Sequence, residues 1–141
     1  MNQADQIAQR VQVEVSRVLL AEPPAPGKIH DLVAAQLKAE FKTKGATSKD
    51  VIGGACRAAM AAVVLSGRDA AEGAVEIVQA VVDIVQERSG DPMRTLGYAL
   101  EGIAASAAAG GRQEVGRIGM AIDAKFMGAG SIFSEFAAKS K

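Results

Sequence analysis

Between Ser48 and Gly111 the chain is rich in Ala and Gly, with Val, Ile and Leu recurring at helical spacing. Signals that stop and restart a helix punctuate it. Gly67 is followed by Asp69, and Gly90 by Asp91-Pro92, each reading as a glycine C-terminal stop, an N-cap and a new helix. The stretch predicts three consecutive helices joined by tight turns. Its glycines then set the strongest constraint on the fold. Gly53, Gly54, Gly73, Gly97 and Gly102 fall inside those helices, and Gly116 and Gly119 inside the next. Each costs about 1 kcal/mol against Ala in a helix interior. Their sum, on the order of 5–7 kcal/mol, is comparable with the net stability of a small domain.

Something must offset that cost, and close helix–helix approach is the simplest candidate. A missing side chain lets two backbones come near and gain dispersion contacts. Gly54, Ala58 and Ala62 form one small-residue stripe at i, i+4, i+8, and Gly102, Ser106 and Gly110 form another. Both read as candidate packing seams, within the chain or between subunits. The core available to such helices is thin. Hydrophobic residues make up 49% of the chain, but much of that share is Ala, with no Trp, one Tyr and four Phe. Oligomerisation is a natural way to bury more surface.

The remaining helices follow from periodicity. Ala4, Ile7, Ala8, Val11, Val15, Val18 and Leu19 mark a first helix from about Gln3 to Ala21, with Val13 and Leu20 off its stripe. Residues 22–28 hold Pro23, Pro24 and Pro26, a stiff spacer that leaves open whether the first helix docks on the body or projects. The helical body, residues 29–141, begins with a helix over Ile29–Thr43. A third helix starts at Thr47 or Ser48 and ends at Gly67. A fourth begins with Asp69-Ala-Ala-Glu72 as a capping box and carries Val75, Val78, Val82 and Val85, with Ala74, Ile77, Val81 and Ile84 widening the stripe. Its β-branched content admits a strand, but its length, caps and the polar face Glu72, Glu76, Asp83 and Glu87 favour helix. Asp91-Pro92 opens the fifth and Gly110-Gly111 breaks it. The sixth spans about Gln113–Met127. Gly128-Ala129-Gly130 then interrupts, with Ser131 capping a short final helix that bears Ile132, Phe133 and Phe136. The expectation is an all-α, single-domain bundle of five to seven helices.

Chemistry-bearing constellations are sparse. His30 is the sole histidine and reads as a polar helix-start residue, because its neighbour Asp31 lies off its face and no carboxylate stands three or four positions on. Cys56, the sole cysteine, excludes an internal disulfide and reads as a buried structural thiol. The pairs Glu72/Glu76 and Asp83/Glu87 share a helix face and read as solvated. No P-loop, Gly-x-Ser-x-Gly, Cys-x-x-Cys or zinc-type spacing occurs. No catalytic residue, metal ligand or cofactor is predicted.

Charge is balanced, with 16 basic and 16 acidic residues, which argues against a dedicated nucleic-acid binder. It is unevenly placed, however. Lys38, Lys42, Lys44, Lys49, Arg57 and Arg68 dominate one region, and Asp69, Glu72, Glu76, Asp83, Glu87 and Asp91 the next. Lys42, Lys44, Ser48 and Lys49, at the turn between the second and third helices, are the candidate anion or nucleic-acid contact. The following Val51, Ile52, Gly53 and Gly54 are poor base readers.

The N-terminus has no basic start or apolar core of a signal peptide, and no run of about 18 apolar residues exists. In composition the Ala/Gly-rich helices resemble those of granule-coating and other Ala-rich bacterial helical proteins. No motif carries that likeness to a function. The expectation is therefore a bacterial, cytoplasmic interaction or scaffolding protein that forms a homo-oligomer or meets a protein partner. A nucleic-acid-binding regulator and a small-ligand or enzymatic bundle are the alternatives.

Overall fold

Periodicity and caps translate into helices almost residue for residue. The computed structural model describes residues 3–21, 28–44, 49–65, 69–87 and 92–139. Within them run α1 (Gln3–Ala21), α2 (Lys28–Lys44), α3 (Lys49–Leu65), α4 (Ala70–Glu87), α5 (Pro92–Ala107), a 3-10 turn (Ala108–Gly110), α6 (Arg112–Lys125) and α7 (Ala129–Lys139). Among the described residues there are no strands, so the β-branched α4 is a helix. The architecture is an all-α bundle. No described helix is long and apolar enough to cross a membrane.

α3 is the central element. Ile52, Ala55, Cys56, Ala58, Ala59, Met60, Ala62 and Val63 are all buried, which leaves little of this helix outside. A helix apolar on most of its circumference must be enclosed by others. α1, α2, α4 and α5 all pack on it. The first helix therefore docks on the body, burying Ala8, Val11 and Val15 and leaving Val13 exposed. The Pro-rich spacer lies outside the described residues.

α4 buries Ala74, Ile77, Val78, Val81, Ile84 and Val85, while Val75 and Val82 are only half-buried. These buried residues all belong to the wide stripe that periodicity predicts, whose Val75/Val82 edge is the less buried one. The cap at its start forms as expected. Asp69 Oδ1 accepts the N–H groups of Ala71 at 3.0 Å and Glu72 at 3.2 Å. The same oxygen also accepts from Arg117 Nη2 of α6 at 3.0 Å.

α6 and α7 form an antiparallel pair on Ile118, Ile122, Phe133 and Ala137. The link between them differs from the sequence expectation. Gly128 takes φ +91°, and Asp123 Oδ1 accepts the N–H groups of Gly128 at 3.0 Å and Gly130 at 3.1 Å. A carboxylate supplied by α6 thus caps the next helix, so α7 begins at Ala129 and Ser131 lies inside it. Gly130, read as a breaker, is a buried helical residue pressed on Asp123 and the Gly119 carbonyl.

Candidate functional site

α5 approaches α3 more closely than an Ala-lined contact allows. A Cβ built on Gly102 would collide with the Gly53 carbonyl oxygen and stand 3.1 Å from the Arg57 amide nitrogen. Four residues on, the Ser106 hydroxyl donates to the Arg57 carbonyl at 2.7 Å. Position 53 also lies beside the Tyr98 carbonyl, so the two helices run parallel. Of the small-residue positions, Gly102 and Ser106 thus lie against α3 of the same chain. Ala58 and Ala62 are buried, and Gly54 is half-buried. Gly110 is exposed in the 3-10 turn, where a Cβ would press on the Glu114 side chain. A second internal approach seats Gly73 of α4 on Val63 of α3, whose methyl Cγ1 would lie 2.7 Å from an added Cβ.

Lys42 and Lys44 stand in the last turn of α2 and Lys49 opens α3. Ser48 and the side chains of these lysines lie outside the described residues. Cys56 is fully enclosed by the core, and burial pushes its thiol up to about 12. It stays protonated at neutral pH, so it supplies neither a nucleophile nor a metal-binding thiolate.

The polar cluster that sequence reasoning missed sits between α2 and α4. His30 Nε2 lies 2.7 Å from Asp83 Oδ2, and Nδ1 lies 3.0 Å from Asp31 Oδ1. The His30 backbone N–H donates to Glu76 Oε1 at 3.2 Å. Gln79 Nε2 donates to Asp83 Oδ1 at 2.8 Å. Glu76, Gln79 and Asp83 recur at i, i+3, i+7 and so share one face of α4. That face meets the start of α2, where Glu76 satisfies one of the free amides of the first turn and complements the helix dipole. Two carboxylates read as solvated are therefore engaged by another helix. The i, i+3, i+7 polar ladder is the signal in the sequence; its partner across 46 to 53 residues is not.

The hydrogen bond to Asp31 is the chief influence on His30, raising it above the ordinary 6.5; partial burial opposes this and Asp83 adds to the rise. Both ring nitrogens face carboxylates, so neither is presented to a substrate in this arrangement. Among the described residues no group of three or more His, Cys, Asp and Glu is arranged to hold a metal ion.

The surface carries a second feature, on α6. Met120 is 76% exposed and Met127, just past the helix, 97% exposed. Gly116, one turn before Met120, has nothing within 4 Å of the place a Cβ would occupy. An open groove of about 850 Å³ runs beside Gly116 and Met120, lined also by Gly119, Gly130 and Ser134 and by the acidic Asp123 and Glu135. Fold and surface define an all-α helical bundle with exposed methionines on α5 (Met93), on α6 (Met120) and just past α6 (Met127). Comparison with known proteins adds no family to that class: no family model, curated protein or solved structure matches the chain significantly.

Proposed function

We propose that the protein is a small helical interaction protein that self-associates through the outer face of α6. One observation carries this. Gly116 sits in a helix interior, where glycine costs about 1 kcal/mol, yet no atom of its own chain comes near enough to need the missing side chain. Gly102 and Gly73 meet a close neighbour within the chain; Gly116 meets none, nor does Gly97 of α5, but Gly116 also lines the open groove beside Met120. One turn on stands the exposed Met120, and Met127 is exposed past the far end of the helix. Methionine is flexible and polarisable, and suits surfaces that repack against a partner. A second copy laying its own α6 there would gain the close approach and cover both methionines. A single helix face pairing with itself is the simplest closed, two-fold arrangement.

Sedimentation velocity over a wide concentration range tests this. The wild type should show a defined oligomer, and Met120→Glu should sediment as a monomer with an unchanged helical spectrum. A wild type that stays monomeric at every concentration refutes self-association. An oligomer that Met120→Glu leaves intact places the contact elsewhere.

A further inference from the structure

We propose that His30 is a pH-sensitive latch: as an imidazolium it bridges Asp31 and Asp83 and holds the first turn of α2 on α4, and as a neutral ring it releases that turn. The geometry favours the doubly protonated form. A neutral imidazole has one N–H and one lone pair. With Nε2 2.7 Å from one carboxylate oxygen and Nδ1 3.0 Å from another, the neutral ring would turn its lone pair on an anion at one of the two contacts. Losing the proton also leaves the carboxylates of Asp31, Glu76 and Asp83 around the start of α2 without the imidazolium between them.

The groups that face the ring are these: Asp31 from its own helix, and Asp83 from α4, held by Gln79. Glu76, also from α4, takes the backbone N–H of the same residue. α1 and α3 also pack on α2, and among the described residues neither puts a charged side chain in hydrogen-bond contact with the ring. The release is confined. Val33 and Leu37 remain fully buried farther along α2, whereas Ile29 is the buried residue of the turn set free. Opening the latch therefore exposes Ile29 and frays the start of α2 while the bundle persists.

The sign follows from a histidine held above its ordinary value. The latch is fully closed below about 6.5 and is lost as pH rises through the higher folded-state value. The test joins ring-nitrogen NMR of the full chain with amide exchange at His30–Val33, corrected for intrinsic rates, on both sides of the titration. The expected result is a ring protonated on both nitrogens at low pH and a folded-state pKa above 6.5. Protection at the start of α2 should fall across that titration, by tenfold for each unit of the excess, while protection in α3 holds. Asp83→Asn should lower the histidine pKa and shrink the change in protection. A ring that titrates at 6.5 or below overturns the latch. So does protection that ignores the titration, or a pKa that Asp83→Asn leaves unmoved.

Discussion

Gly102→Ala adds one methyl group at the tightest point of the molecule. The new Cβ would run into the Gly53 carbonyl oxygen and press on the Arg57 amide. Both are backbone atoms of α3, so no side chain can rotate out of the way, and α5 must shift from a helix that buries most of its surface. Overpacking costs about 1–3 kcal/mol, and a backbone neighbour puts this site near the upper end. The helix itself gains about 1 kcal/mol when Gly becomes Ala. The net expectation is a loss of about 2 kcal/mol. Gly97→Ala is the internal control. It makes the same change in the same helix, at a site where nothing lies within 4 Å of the added atom. There only the propensity gain remains, about 1 kcal/mol in favour. For a chain of this length each kcal/mol moves Tm by roughly 4 °C. Thermal melts followed by circular dichroism should show Gly102→Ala lower by about 8 °C and Gly97→Ala higher by about 4 °C, roughly. If Gly102→Ala melts at or above Gly97→Ala, α3 and α5 do not approach as described.

Phe133→Ala empties the largest fully buried side chain in α7 and should cost about 3–5 kcal/mol, read as a lower urea midpoint at unchanged slope. Asp69→Ala removes the acceptor of two first-turn amides of α4 and should cost about 1 kcal/mol. Arg117→Ala, which breaks the exposed ion pairs to Asp69 and Glu114, should change stability by well under about 1 kcal/mol. Equal losses from the two would mean that the cap contributes little. Cys56 should resist iodoacetamide at mildly alkaline pH in the folded protein and react on unfolding, because its thiol is buried and pushed up to about 12. Rapid labelling of the native chain would place it outside the core.

Much of the secondary structure is legible because its causes are local. The Asp69 cap, the β-branched but amphipathic α4 and the Gly110-Gly111 break each depend on residues within a few positions, while Ser48, Gly67, Gly90 and Asp91 lie outside the described residues. The exceptions show where local reasoning stops. Ser131 is a good N-cap by type, but Asp123 on the preceding helix satisfies the amides first and moves the start of α7 to Ala129. Sequence spacing places Asp31 off the face of His30, yet at the helix start its carboxylate lies 3.0 Å from the ring. Asp83, 53 positions away, closes the other side.

By itself the sequence determined that this chain forms helices, roughly where each begins and ends, and that some helix pairs must approach closely to offset their glycines. These follow from propensity, capping and periodicity, which act over one or two turns. Only the tertiary structure decided which helices those are. α3 became the centre because its small side chains let several neighbours approach, and Gly102 faces Gly53 because α5 lies parallel to α3. It also divided glycines alike in sequence into two kinds. Gly102 meets backbone of its own chain, while Gly116 faces open space. A residue's distance from its distant neighbours comes from packing the whole chain at once, and no short window of sequence contains it.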